Sequence, residues 1–205
     1  PDLQPVELAG PADERHHLVA EVLRDRHLPD EILGAIPATV RGTFFRIGPG
    51  RNRVGKDVFG HWFDGDGMVH AITFTDRGAW YRNRYVRTPK YNAETRAGRI
   101  VKRSFGHNAP GGVLKNIGRL PANAANTSLV WHAGRLLALW EGGRPWELDP
   151  VTLETRGEYD FGGQLGRFDT FSAHGKHDPA TNCYFNHGMG VGKRGPQVNL
   201  YRVNA

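Results

Sequence analysis

The chain has 205 residues and a net charge of +6, with 39% hydrophobic and 10% aromatic residues and 27 Gly and 13 Pro. That balance excludes wholesale disorder and allows either one core or a share of a larger one. No apolar run approaches the roughly 20 residues of a bilayer-spanning helix, and the single Cys183 excludes an internal disulfide framework, which makes a cytoplasmic location the expectation.

Residues 13–26 hold Leu18, Val22 and Leu23 at helical spacing, which predicts a short helix within an N-terminal extension, 1–36. After Pro37 the pattern changes to short segments rich in Val, Ile, Phe, Trp and Tyr, punctuated by Gly, Asp and Pro at intervals of about ten residues. Strands are predicted at 40–47, 61–63, 68–74, 80–86, 128–132, 136–141, 145–148, 156–161, 171–176, 182–189 and 198–203. Asp64-Gly65-Asp66-Gly67 and His132-Ala133-Gly134-Arg135 read as tight hairpin turns, Asp149-Pro150 as a strand break and Gly195-Pro196 as a turn. Residues 51–56 and 88–126 read as loops. The expected fold is all-β, with 37–205 an incomplete β-propeller that stops in mid-meander.

Residues 77–119 carry eleven Lys/Arg and one acid, Glu94. Such a bias raises nucleic-acid binding, but arginines alternating along a strand, as in Arg82-Asn83-Arg84, more simply form a solvated sheet face. No nucleic-acid partner is expected. A basic surface meeting anionic lipid is the other reading.

Ten histidines make metal binding the first chemical question. If 64–67 is a four-residue hairpin loop, His61 and His70 oppose each other across it, with Cβ atoms roughly 5 Å apart; they either share a metal or pack beside Trp62. Strand alternation sends His174 and His177 to opposite faces, so at most one belongs to a site. His187 is a candidate to cross-pair with His177. Gly188-Met189-Gly190-Val191-Gly192-Lys193 lacks the leading Gly, the Ser/Thr and the helix of a phosphate loop. No hydrolase elbow, paired zinc cysteines or dinucleotide fingerprint is present.

Several ordered blocks carry a resemblance. They are Gly42-Thr43-Phe44-Phe45-Arg46-Ile47-Gly48-Pro49, residues 61–71 around Asp64-Gly65-Asp66-Gly67-Met68, residues 81–88, Asn126-Thr127-Ser128, residues 136–141, residues 148–155 and Ser172-Ala173-His174. In these the chain resembles the carotenoid cleavage oxygenase (retinal pigment epithelial membrane protein) family, most closely its microbial apocarotenoid-cleaving members. The resemblance implies a seven-bladed β-propeller, of which this chain covers less than half, with Fe(II) on the axis held by four histidines. It implies a dioxygenase that cleaves a conjugated double bond of a lipophilic polyene with O2 into two carbonyl products.

On the same basis His174 is the first iron ligand, and His61, His70 and His177 become structural. Glu141 is a carboxylate that orients a ligating histidine beyond residue 205, and Thr127 faces the site near the open coordination position. Gly175 stands where the family usually has Pro, which suggests a looser strand end. Residues 89–118 correspond to a membrane-contacting region, with Phe105, Val113, Leu114 and Ile117 dipping into lipid and Arg99, Lys102, Arg103 and Lys115 meeting headgroups. With one histidine ligand, residues 1–205 alone are expected not to turn over. A stilbenoid-cleaving dioxygenase is the rival within the enzyme class, and a non-catalytic apolar-ligand or membrane-binding fragment the rival outside it.

Overall fold

A computed structural model describes residues 26–28 and 35–205, and these build an all-β architecture of antiparallel meanders. The first sheet joins β1 (Arg26–Leu28), β2 (Gly42–Arg51), β5 (Asp66–Thr75) and β6 (Gly78–Tyr85) in the order β1-β6-β5-β2. Between β2 and β5, β3 (Arg53–Val54) and β4 (Asp57–Val58) form a small hairpin where residues 51–56 were expected to be a loop, β4 lying just past it. The second sheet runs β10-β9-β8-β7, from β7 (Ser128–His132), β8 (Arg135–Leu139), β9 (Trp146–Leu148) and β10 (Thr155–Glu158). The third is β11 (Lys176–Asp178), β12 (Cys183–Gly192) and β13 (Gly195–Val203). The helix expected within 13–26 lies outside the described residues, apart from Arg26, which opens β1 and pairs with Tyr81.

The run Leu136-Leu137-Ala138-Leu139 is apolar at every position because β8 is buried on both faces. Leu136 and Ala138 point into a core with Val69, Ala71, Trp146 and Leu148, between the first two sheets. Leu137 and Leu139 point into a second core with Phe171, Ala173 and Tyr184, toward the third sheet. Full burial of each leucine contributes about 1.5–3 kcal/mol relative to exposure. The hairpin turn before β8 is as predicted: Ala133 and Gly134 both take positive φ, 49° and 71°, the geometry that matches strand twist in a two-residue loop.

Three expectations are corrected. Residues 61–63 are not a strand: Trp62–Asp64 is a 3-10 turn that His61 caps, Nδ1 accepting from Phe63 N at 3.1 Å. Gly65 follows and β5 begins at Asp66, so 64–67 is not a hairpin loop and His61 does not oppose His70. His70 instead pairs with Arg46 and Asn83. Residues 171–175 are extended but outside any strand, with Phe171 N donating to Gly143 O and Ser172 N to His187 O, and β11 begins only at Lys176.

The long segment 88–126 contains two helices, α1 (Pro89–Ala97) and α2 (Gly112–Asn116). Helix α1 has a complete set of end signals: Thr88 caps Tyr91 N at 3.1 Å, Pro89 opens the first turn and Gly98 closes the last at φ 61°. Its buried face is polar. Lys90 Nζ meets Asp66 Oδ1 and Glu94 Oε2 at 3.0 Å each and lies 3.9 Å over the Phe59 ring, while Arg51 bonds Asp66 and Thr95. This charged knot fastens α1 to the open end of β5.

Candidate active site

At the open ends of β2, β7 and β8 the chain surrounds a cavity of about 510 Å³ whose lining is mostly apolar. Trp62 and Phe63 from the 3-10 turn, Phe105 from the following loop and Trp140 after β8 supply aromatic walls. Phe63 packs 4.4 Å from Trp62, 4.5 Å from His61 and 6.0 Å from Phe105, centroid to centroid. These rings remain substantially exposed (Trp62 61%, Phe63 46%, Phe105 68%), so they present an apolar surface rather than fill a core. Trp140 lies against Gly142, where an added Cβ would sit 2.7 Å from the indole.

Three residues singled out by resemblance, Thr127, Glu141 and His174, line this one cavity from three separate chain segments. The motif carrying His174 is anchored from both sides. Ser128 Oγ donates to Ala173 O at 2.6 Å, Asn186 Nδ2 donates to Ser172 O at 2.7 Å, and Ser172 Oγ accepts from His174 N at 3.1 Å. Ser172 and Ala173 are buried, while the imidazole they hold out is exposed. Its Nε2 lies 2.8 Å from Glu141 Oε1. Within the described residues the partner of Glu141 is thus His174, whereas a later histidine was expected. Gly175 is not loose, because Tyr184 packs over it so closely that a Cβ would stand 2.4 Å from the phenol ring.

The other histidines singled out in the sequence, His70, His177 and His187, do not line this cavity. His70 lies on the outer face of the first sheet, where Asn83 Nδ2 donates to Tyr81 Oη at 3.0 Å and the Tyr81 hydroxyl meets His70 Nδ1. Burial and the nearby Arg46 guanidinium, in that order, hold its pKa below the ordinary 6.5. His177 bonds Asn182 at 3.0 Å and pairs across the ladder with Tyr184, while His187 pairs with Leu200, so the two do not cross-pair. Among the described residues no three His, Cys, Asp or Glu side chains converge as a metal shell. One imidazole beside one carboxylate is a fragment of such a shell. It suits a borderline divalent metal in its chemistry and is short of it in number.

Four cavity residues carry no local signal of that role in the sequence: Asn126, Trp62, Phe63 and Trp140. Asn126 is 7% exposed and clamps the cavity wall, its Nδ2 donating to Phe63 O and Gly65 O at 2.7 Å each. A fully buried Ala125 at φ 46° precedes it, held by Asn123 Oδ1 accepting from its N–H at 2.9 Å. The sequence marks only the turn composition of Asn123-Ala124-Ala125-Asn126 just before a strand.

Comparisons with known proteins give the chain's family. The family profile described as retinal pigment epithelial membrane protein matches residues 18–205. The chain is 43% identical over 155 residues to apocarotenoid-15,15'-oxygenase of Synechocystis sp., covering 74% of this chain and 32% of that protein. It is 38% identical over 177 residues to resveratrol cleavage oxygenase 1 of Aspergillus fumigatus (85% and 34%), and 37% identical over 177 residues to isoeugenol monooxygenase of Pseudomonas nitroreducens (85% and 36%). The solved structure of a point mutant of Synechocystis apocarotenoid oxygenase superposes with a TM-score of 0.80 at 36% identity, over 89% of this chain and 40% of that one. The chain thus spans about a third of the length of these curated relatives.

Proposed function

The chain belongs to the retinal pigment epithelial membrane protein (carotenoid oxygenase) family, and from that premise we propose that it is part of an Fe(II)-dependent dioxygenase. The reaction is cleavage of one conjugated carbon–carbon double bond of a carotenoid or apocarotenoid. Both atoms of O2 enter the products, one on each carbon, giving two carbonyl compounds. The observation that carries this reading is the convergence of His174, Glu141 and Thr127 on one aromatic-walled cavity. In this reading residues 37–205 form the first blades of a seven-bladed propeller, after an extension over 1–36.

His174 would hold the iron with one imidazole, Glu141 would accept a ring N–H, and the iron would supply O2 activation. The described residues do not complete its shell, and residues 1–205 alone are not expected to turn over. What they contribute directly is the binding surface. The rings of Trp62, Phe63, Phe105 and Trp140 would lie against a planar polyene, which would cover their exposed faces.

Lipophilic substrate also accounts for the exposed apolar cluster around α2. Val113, Leu114, Ile117 and Leu120 are 67–88% exposed, in a segment that also carries Lys115 and whose Asn116 and Arg119 carbonyls accept from Arg103. Monomeric surfaces seldom carry such a patch without a partner. A membrane surface fits its chemistry, and no described helix is long and apolar enough to cross one. The protein would then be cytoplasmic with peripheral membrane contact.

The resveratrol and isoeugenol enzymes among the relatives favour a second reading, a compact phenolic stilbenoid substrate in the same site. The two readings separate by supplying the full-length protein with an apocarotenal and with a hydroxystilbene and measuring aldehyde formation and O2 uptake. Aldehydes from the polyene support the first reading, aldehydes from the stilbene alone support the second, and none from either rejects both.

A further inference from the structure

We propose that Asn126 is a positioning residue, which fixes the hydroxyl of Thr127 so that its oxygen meets the cavity as a hydrogen-bond acceptor only. The functional sense of this rests on the oxygenase reading, while the geometry stands by itself.

An asparagine amide offers two N–H donors and one carbonyl oxygen. Both donors of Asn126 are used, toward Phe63 O and Gly65 O at 2.7 Å each. The flipped amide would set its oxygen against two carbonyls, so the orientation is forced. The oxygen Oδ1 therefore faces Thr127 Oγ1, at 3.2 Å. Since Oδ1 has no proton, the single hydroxyl proton of Thr127 goes to it. Thr127 N donates to Leu139 O at 3.1 Å, so the backbone is held as well. Thr127 lines the cavity, and wherever its hydroxyl oxygen meets that space it has only lone pairs to offer.

Two consequences follow for the site. The polar point on this wall holds a group that has a proton to give, such as water or a hydroxyl, and offers nothing to an aldehyde oxygen. The same amide holds the Phe63 carbonyl, so one buried side chain sets both an acceptor and an aromatic wall. Burial at 7% exposure keeps water from competing for these bonds.

The test uses the isotopically labelled full-length protein and its Thr127→Val, Asn126→Ala and doubly substituted forms. Both Asn126 side-chain amide protons are expected to exchange slowly with solvent, and Thr127→Val is expected to shift the Asn126 side-chain carbonyl resonance. Fast exchange of either proton, or an unmoved carbonyl, overturns the proposal whether or not the protein has oxygenase activity. In turnover, Asn126→Ala is expected to lower kcat/KM about tenfold in the native background and by clearly less once Thr127 is Val, the remainder being the loss of the clamp on Phe63. Equal losses in both backgrounds mean that Asn126 is only a structural support, and the proposal fails. A native protein that turns over nothing rejects the oxygenase reading and leaves the resonance measurements to decide this one.

Discussion

His174 Nε2 and Glu141 Oε1 stand 2.8 Å apart on the wall of the cavity, with 69% and 48% of their side chains exposed. A polar contact so open to solvent contributes about 0–1 kcal/mol to stability. Glu141→Gln is therefore expected to leave the urea midpoint of unfolding nearly unchanged. Iron affinity of the full-length protein is expected to fall by about 10 to 100-fold, the usual cost of losing a carboxylate behind a ligand. Loss of stability with unchanged iron affinity contradicts a role in the site.

The buried charges under α1 behave differently. Lys90 and Glu94 are fully buried, and their 3.0 Å contact is an ion pair outside hydrogen-bond geometry, while Glu94 Oε1 accepts from Val101 and Lys102 N–H groups. Lys90→Met strips the cation from between two carboxylates and is expected to cost about 3–5 kcal/mol in equilibrium unfolding. Adding Glu94→Gln should restore part of that. No recovery in the double variant means that the packing of Lys90 over Phe59 outweighs its charge.

His70 gives the first sheet a pH dependence of known sign. Its folded pKa lies below the 6.5 of the unfolded chain, through burial first and Arg46 second. Between those values the unfolded state binds more protons, so stability rises with pH there and is lost as pH falls through 6.5 toward the folded value. His70→Gln should flatten the stability curve between about pH 7 and pH 5. An equally steep loss in the variant assigns the effect to other groups.

The exposed apolar cluster at α2 predicts binding to anionic vesicles in flotation. Leu114→Glu with Ile117→Glu should abolish it, and added salt should weaken it by screening Lys102, Arg103 and Lys115. Flotation unaffected by the double substitution places the membrane contact elsewhere.

Much of the fold was legible because β-strands advertise themselves by alternation and turn residues. The hairpin at His132-Ala133-Gly134-Arg135 and a strand at β8 were legible directly, while the burial of β8 on both faces emerges only from the packing. Helix α1 was missed because its buried face is Lys90, Tyr91 and Glu94, which erases the apolar period, although Thr88, Pro89 and Gly98 announced its ends. Residues 61–63 look like a strand by composition, but Asp64 turns inward and takes Gly106 N with both carboxylate oxygens, which bends the chain into a turn. The site residues came from resemblance, since no local spacing relates Thr127, Glu141 and His174. Their meeting depends on how the sheets pack, as does the role of Asn126, whose partners lie about sixty residues earlier.

The most direct test of the account is the iron content of the full-length protein purified with and without His174→Ala, beside residues 1–205 alone. The account predicts one iron per full-length molecule, its loss in the His174→Ala protein and none in the shorter chain. Stoichiometric iron that survives His174→Ala contradicts it.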